Sequence, residues 1–300
     1  MKEALTPSLV ISADDQAAYN GPGGETTART MDSSWTELLL MLHRRVRSAV
    51  MESGRVGTGA RNAKGDDVKR FDLAANDAAL GILEEFKLPL VVDSEESGRL
   101  NIGSGTPRHR LILDPVDGSD NWARGLPLSA LSCAVLPVDA PLQPDWVEAA
   151  LVGPFEQETP LIALKGSGAW RGDDRLETAP VRNISEAMIS VELNHHSPSP
   201  GLARLMAAAR GVRCYGCASR ALSLIAAGAT DAHIDVRGRL TAESYLAAAR
   251  LVIEAGGWVI GLDGAPLKSP ENLTDRVSLI AASSRQLCDE IVEFLGDEQH

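Results

Sequence analysis

The sequence has few cysteines and no long apolar run. Four cysteines in 300 residues are too few for a disulfide framework, and Cys214 and Cys217 have the spacing of a redox pair or of half a zinc site. No second C-x-x-C completes that site, which favours core cysteines. No stretch reaches 18 apolar residues, and the first 30 residues lack the regions of a secretory signal. We therefore expect a cytoplasmic protein with no membrane partner.

Positive charge is also scarce. The chain has 29 Lys and Arg residues against 41 Asp and Glu, a formal net charge of -12. This charge would repel the phosphates of a nucleic acid, so we expect no nucleic-acid partner. An anionic small molecule can bind only if cations or local arginines reverse the charge at the site.

The apolar pattern predicts three regions. With 44% apolar residues, the chain can form one large domain or two medium ones. Residues 1–33 lack apolar periodicity, which predicts a flexible N-terminal extension. Ser34 to Glu37 has the spacing of a capping box before a helical pattern, so the fold is predicted to start at Ser34. Residues 34–178 predict an α+β domain with an antiparallel meander, and residues 179–300 alternate strands and helices as in an α/β domain.

A Gly-rich segment interrupts the first of these domains. Residues 54–67 contain four glycines among charged residues. This composition predicts a loop instead of a helix or strand. The loop either closes over a site or is a plain surface connection.

Carboxylates follow several apolar runs of the first half. Asp114 and Asp117 are three residues apart across a turn that begins at a proline, so both carboxylates can point to one side and share a hard cation. Mg²⁺ or Mn²⁺ fits such oxygen ligands best. Gly118 allows close backbone approach, and the amides after it could cradle a phosphate. If Glu95 joins them, bound cations must relieve the repulsion.

Four segments together resemble one enzyme superfamily. The chain has the segments Asp-Pro-Val-Asp-Gly-Ser-Asp-Asn at 114–121, Ser-Glu-Glu-Ser at 94–97, Lys-Gly-Ser-Gly-Ala-Trp-Arg-Gly at 165–172 and Glu-Ala-Gly-Gly at 254–257. They resemble motifs of the inositol monophosphatase superfamily of magnesium-dependent, lithium-sensitive sugar-phosphate phosphatases, over most of residues 34–296. Residues 231–237 and the spacing after them look most like the archaeal-type members, which act on inositol phosphates and fructose 1,6-bisphosphate. The resemblance implies a layered αβαβα sandwich, a homodimer and two or three Mg²⁺ ions.

The resemblance also implies a role for each motif residue. Glu95, Asp114 and the carbonyl of Val116 resemble the ligands of the first metal, and Asp114 with Asp117 those of the second. Glu95 thereby also belongs to the implied catalytic set.

Two further roles follow from the same resemblance. Gly118 and Ser119 correspond to phosphate-binding residues. The Ser119 hydroxyl with Asp72 corresponds to the catalytic pair that orients and deprotonates the attacking water. Such chemistry is coherent, because in-line attack by an activated water is a known route to phosphate ester hydrolysis.

Substrate-side candidates lie in the second half. Asp235 and Arg237 are placed near the sugar by the resemblance, and His195 follows a predicted strand, with Asn194 and His196, in a loop facing the same cleft. Arg237 either binds a second phosphate or forms an ion pair with Asp235 or Glu243. The histidines either contact the substrate or belong to a solvated loop.

One position departs from the family pattern. Where the family has an Asp ligand of the second metal, this chain has Ser244. Glu243 either replaces that ligand or is a solvated Glu in the first turn of a helix.

The leading hypothesis is a magnesium-dependent phosphatase of a small sugar or polyol phosphate. The alternative is a sugar-phosphate-binding or regulatory protein weakened by Ser244. A third hypothesis is a phosphatase of 3′-phosphonucleotides, for which only Trp122 offers a surface on which a base could stack.

Overall fold

The computed structural model describes residues 24–54, 57–61 and 67–296 of the chain, with side chains for residues 34–54 and 69–296. The α-helices are α1 (Gly24–Glu52), α2 (Arg70–Phe86), α3 (Ser119–Ala123), α4 (Pro200–Ala208), α5 (Ala218–Ala226), α6 (Ala242–Glu254) and α7 (Arg285–Gly296). Short 3-10 helices span Pro144–Trp146 and Ile184–Glu186.

The strands in the described part of the chain form three sheets. They are β1 (Gly57–Arg61), β2 (Asp67–Lys69), β3 (Leu90–Ser94), β4 (Gly98–Ile102), β5 (His109–Asp117), β6 (Ala130–Pro137), β7 (Ala149–Pro154), β8 (Leu161–Leu164), β9 (Gly168–Arg171), β10 (Asp174–Leu176), β11 (Met188–Val191), β12 (Gly211–Arg213), β13 (Ala232–Leu240), β14 (Trp258–Ile260) and β15 (Val277–Ala282). The larger sheet has the order β10-β9-β8-β7-β6-β5-β3-β4, and only β3 and β5 pair in parallel. The smaller sheet has the order β12-β11-β13-β15-β14, and β1 pairs with β2 alone.

Alternate residues of each large strand point into different cores, as the two-residue period of a strand requires. On β5, Leu111 and Leu113 pack with α1 and α2, whereas Ile112 packs with α5 and α6. On β15, Leu279 belongs to the same core as α5 and α6, and Ile280 packs with α4 and α7. Helix pairs and sheets therefore alternate in five layers. The predicted αβαβα sandwich is confirmed.

Two boundary predictions are wrong. The first helix begins at Gly24, so residues 24–33 of the predicted extension are helical. After Gly24 this segment contains no proline or glycine that would end a helix, and backbone hydrogen bonding does not require an apolar face. Where residues 54–67 are predicted to be a loop, β1 forms and pairs antiparallel with β2, which begins at Asp67. Residues 1–23, 55–56, 62–66 and 297–300 lie outside the described part of the chain.

The two halves of the chain share one core. Helices α5 and α6 belong to the second half, yet they pack against β6, β7 and β8 of the larger sheet. The division near residue 178 stays a prediction. No helix in the described part is long and apolar enough to span a bilayer.

Candidate active site

A β-bulge brings Asp114 and Asp117 to one face of the larger sheet. Asp114 pairs with Ser132 of β6 and Asp117 pairs with Ala130, so β5 advances three residues while β6 advances two. Without the extra residue, side chains three apart would point to opposite faces. The bulge contains Pro115, and the Val116 amide donates to Asp114 Oδ1 at 3.0 Å. Both carboxylates therefore lie on the face that packs against α5 and α6.

Helix α5 holds Asp117. The backbone amide of Ser219 donates to Asp117 Oδ2 at 2.7 Å, and Cys217 Sγ donates to the same oxygen at 3.1 Å. Burial raises the pKa of Asp117, these hydrogen bonds oppose the rise, and the charge of Glu95 adds to it. Cys217 therefore has a structural contact in the site. All four cysteines are free thiols.

Gly118 forms the turn between β5 and α3. Its φ of 79° lies in the left-handed region. A Cβ atom here would lie 2.8 Å from the Leu128 carbonyl oxygen and 2.9 Å from Cys217 Cβ. Ser129 Oγ donates to the Gly118 carbonyl at 2.7 Å, which fixes the turn. Only glycine fits this position without displacing neighbouring backbone.

The last residue of the 114–121 motif joins the two halves of the chain. Asn121 Nδ2 lies within hydrogen-bonding distance of the Leu128 carbonyl, at 3.0 Å, and of the Tyr215 carbonyl, at 2.7 Å. Tyr215 directly follows Cys214 and precedes α5. The motif asparagine thus positions backbone and does not face the cleft.

Asp72 and Ser119 are joined through Lys69. The Lys69 amide donates to Asp72 Oδ2 at 3.0 Å, which caps the start of α2. Lys69 Nζ donates to Ser119 Oγ at 3.1 Å and to Asp120 Oδ1 at 2.5 Å. Burial raises the pKa of Asp72 to about 6, Lys69 opposes the rise, and Glu95 and Asp120 contribute to it. Sequence reasoning missed Lys69, because a lone lysine carries no signal of its long-range contact.

Asn76 of α2 holds the segment that carries Glu95. Ser94 Oγ donates to Asn76 Oδ1 at 2.8 Å, and Asn76 Nδ2 donates to Ser97 Oγ at 2.6 Å. The Glu95 amide donates to the Leu113 carbonyl at 3.0 Å. The carboxylate just before this segment, Asp93, is buried and forms an ion pair with Arg110. Glu95 therefore lies between α2 and β5, whereas Asp93 stabilises the sheet.

A cleft of about 390 Å³ opens beside these residues. Glu95 and Asp117 of the first half line the cleft, and the second half supplies more of the lining residues. The lining residues of the second half are Glu192, Asn194, Gly216, Cys217, Ala218, His233, Asp235, Arg237, Arg239, Leu240, Thr241, Ser244 and Arg276. Polar and charged side chains dominate, which suits a hydrophilic ligand.

Arg237 is already paired. Its Nη2 lies 2.6 Å from Asp235 Oδ2, its Nε lies 3.0 Å from Asp235 Oδ1, and its Nη1 lies 3.8 Å from Glu192. This geometry supports the ion pair with Asp235, one of the two predicted alternatives, and does not involve Glu243. Two exposed arginines, Arg239 and Arg276, also line the cleft and were not predicted. Leu240 pairs with Val277, so the strand ends that carry them are adjacent.

The two histidine positions differ in their access to the cleft. His195 is exposed, with a φ of 58°, and the cleft is lined instead by its neighbour Asn194. His233 does line the cleft but was not predicted. It is buried, its Nδ1 lies 2.9 Å from Ser190 Oγ, and burial lowers its pKa to about 4. His233 is therefore neutral at pH 7 and can hydrogen bond to a sugar hydroxyl.

The start of α6 presents Ser244 to the cleft. Ser244 lies among the lining residues, and its Oγ lies 3.4 Å from Thr241 Oγ1. Glu243 is 2% exposed and does not line the cleft, and its carbonyl accepts a hydrogen bond from Ser132 Oγ at 2.9 Å. Adjacent helical side chains point about 100° apart. The metal role of Glu243 stays a prediction that this orientation does not favour.

The donor chemistry fits a divalent cation. Burial is the main cause that raises the pKa of Asp72 and of Asp117, and the charge of Glu95 adds to both, so carboxylates from three segments repel one another and a bound cation would relieve that repulsion. Hard carboxylate oxygens are the ligands that Mg²⁺ prefers. Within the side chains that the structure describes, no three His, Cys, Asp or Glu residues converge as a complete metal-binding group.

Comparison with known proteins gives the class of this layered fold with carboxylates at a bulged strand end. Residues 31–299 match the sequence profile of the inositol monophosphatase family. The chain is 29% identical over 244 residues to a fructose-1,6-bisphosphatase/inositol-1-monophosphatase of Methanothermobacter thermautotrophicus, covering 78% of this chain and 85% of the relative.

Solved structures show the same likeness. A crystal structure of an inositol monophosphatase-fructose 1,6 bisphosphatase superposes with a TM-score of 0.74 at 26% identity, covering 87% of this chain and 99% of the other. An extragenic suppressor protein of Bartonella henselae has the same fold, with a TM-score of 0.74 at 24% identity over 88% of this chain and 98% of the other.

The chain belongs to the inositol monophosphatase family. The predicted resemblance, the fold class and the class of phosphoric monoester hydrolases are thereby confirmed. The assignment of individual site residues stays a prediction.

Proposed function

We propose that this chain hydrolyses the phosphate monoester of a small sugar or polyol with the help of Mg²⁺ or Mn²⁺. The observation that carries the proposal is the bulge of β5, which directs Asp114 and Asp117 to one face directly before the Gly118 turn. The names of the relatives suggest inositol 1-phosphate and fructose 1,6-bisphosphate as the first substrates to test.

The cations would be held by oxygen atoms of the first half. Glu95, Asp114, the Val116 carbonyl and Asp117 are the proposed ligands. Bound there, divalent cations would activate a water molecule and neutralise charge on the phosphoryl group. The homodimer implied by the resemblance and the cytoplasmic location both stay expectations.

Asp72 and Ser119 would act on the water. Ser119 Oγ can accept a hydrogen bond from the water while Asp72 takes up the proton that the water loses. A base with a pKa of about 6 is suited to that task near neutral pH, because it is ionised yet still able to accept a proton. Gly118 and the amides after it would contact the phosphate oxygens.

The second half would recognise the sugar. His233 and Asn194 can hydrogen bond to hydroxyl groups, and Asp235 fixes Arg237 beside them. Arg239 and Arg276, rather than Arg237, are the exposed cations available to a second anionic group. His195, which does not line the cleft, has no role in this proposal.

One experiment tests the proposal and separates it from its alternative. Phosphate release is measured for a panel of sugar, polyol and 3′-nucleotide phosphates, with and without Mg²⁺. Release that requires the cation and favours a sugar phosphate supports the enzyme. Binding of a sugar phosphate by calorimetry without release on any substrate supports the binding protein, which the presence of Ser244 in the cleft keeps as the alternative.

A further inference from the structure

Lys69 is the cation that the chain itself supplies next to the water-activating pair. Its side chain is only 12% exposed, although a lysine is usually exposed. Nζ donates to Ser119 Oγ at 3.1 Å, and a 2.5 Å ion pair with Asp120 fixes it from the solvent side. The Lys69 backbone meanwhile holds Asp72. One residue thus contacts both members of the proposed pair.

We propose that Lys69 is a positioning residue for hydrolysis, which orients the Ser119 hydroxyl. This inference rests on the proposed function. A hydroxyl has one proton and two lone pairs. When one lone pair accepts from the Lys69 ammonium, the proton is directed to another acceptor, which in this proposal is Asp72, the carboxylate that the Lys69 amide holds. The second lone pair then remains for a hydrogen of the attacking water.

The charge of Lys69 adds a second effect on the same atoms. An ammonium next to Ser119 Oγ strengthens the hydrogen bonds of that hydroxyl, because charge-assisted hydrogen bonds are about twice as strong as neutral ones. Its field also keeps Asp72 more ionised than burial alone would allow. These effects act on the orientation of the water, whereas backbone amides would contact the phosphate and recognition of the sugar would lie in the second half. Removal of the ammonium should therefore reduce kcat and leave KM nearly unchanged.

The test compares variants that keep the backbone contact to Asp72. Lys69→Met retains the length of the side chain without its charge, and we expect a fall in kcat of about 10- to 100-fold, the range typical for one charged hydrogen bond of 1.5–3 kcal/mol. Lys69→Arg should retain more turnover than Lys69→Met. For Lys69→Ala, added ethylammonium should restore part of the turnover, an effect that a merely structural role would not produce.

Lys165→Met is the matched control. Lys165 Nζ lies 5.7 Å above the ring of Trp146, so it too makes one specific contact. It lies near the C-terminal end of α6, about 15 Å along the helix from Ser244 at the cleft. The turnover of Lys165→Met should equal that of the wild type.

The outcomes separate this proposal from the proposed function. A wild type without turnover on any phosphate monoester overturns both. If the wild type is active and the kcat of Lys69→Met lies within threefold of the wild-type value, the role of Lys69 alone is overturned. The same holds if the variant changes only KM. Loss of kcat without rescue by ethylammonium or by arginine also contradicts it, since the effect would then come from misfolding or packing.

Discussion

At the scale of single residues, Asp114 carries the most consequential charge of the site. It is 2% exposed and lies on the same face as Asp117. We expect Asp114→Asn to lower kcat by roughly 100-fold or more, because losing cation binding removes several kcal/mol of transition-state stabilisation. Phosphate release measures the effect. Asp173→Asn, at an exposed turn, is the control, and near-normal turnover by Asp114→Asn would contradict the ligand assignment.

Ser244 allows a sharper test of the cation site. If the site lacks a carboxylate, Ser244→Asp should increase the affinity for Mg²⁺ and raise kcat together, since Ser244 faces the cleft. Glu243→Gln should leave the Mg²⁺ dependence unchanged, because its side chain points about 100° away from that of Ser244 around the helix. Titration of activity with Mg²⁺ for both variants decides. The reverse pattern would assign the ligand role to Glu243.

The local part of the site can be predicted from sequence, and the distant part cannot. Asp114, Asp117 and Gly118 lie within five positions, so the sequence places them in one site, although the shared face comes from a β-bulge and not from the expected turn. Lys69 and Ser119 are 50 residues apart, and their contact depends on how α2 packs. The pairing of Arg237 with Glu192 likewise requires the order of strands in the smaller sheet.

At the scale of elements, Glu254 ties the end of α6 to the β8–β9 turn. Its two carboxylate oxygens accept from the amides of Gly166 and Gly168, each at 2.8 Å, and it forms a buried ion pair with Arg250. Two motifs recognised separately in the sequence therefore stabilise each other. Neither one suggests this alone, because a carboxylate at a helix end is ordinarily solvated.

This contact predicts a loss of stability without loss of chemistry. Glu254→Gln should lower the free energy of unfolding by about 3 kcal/mol, because it leaves a buried guanidinium without its counter-charge. Asp289→Asn breaks another ion pair of the same helical spacing, between Arg285 and Asp289, which is exposed and should cost about 0.5 kcal/mol or less. Urea unfolding measures both. Equal effects would show that burial of the Glu254 pair is unimportant.

The elements with apolar periodicity are where sequence prediction succeeds. Strands β8 and β15 coincide with buried apolar runs that lie between turns, a pattern that leaves little choice of where a strand begins and ends. The predictions for segments 24–33 and 54–67 are wrong for the opposite reason. Their helix and strands use backbone hydrogen bonds without an apolar pattern.

At the scale of the whole molecule, buried histidines make stability depend on pH. His43 is 1% exposed, and burial lowers its pKa from 6.5 to about 4. The unfolded chain therefore binds a proton below pH 6.5 that the folded chain excludes until about pH 4. The resulting stability is present above pH 6.5 and is lost as the pH falls toward 4. Asp72, whose pKa is raised, acts in the opposite direction between pH 6 and 3.8.

The variant His43→Phe isolates this contribution. Its free energy of unfolding should change less between pH 7 and pH 4.5 than that of the wild type, by about 2 kcal/mol. Denaturant unfolding at both values measures the difference. Since His43 packs directly against Gly153, the absolute stability of the variant can shift, but only the pH slope bears on the prediction. An unchanged slope would refute it.

The central helical layer has a consequence for synthesis on the ribosome. The larger sheet is complete at Leu176, but the helices that cover its second face end only at Glu254. At a translation rate of about 5–20 residues per second, that apolar face of the nascent sheet stays uncovered for several seconds. During this interval the emerging chain is a natural client for a chaperone, and a slow codon stretch between the two points would prolong the exposure.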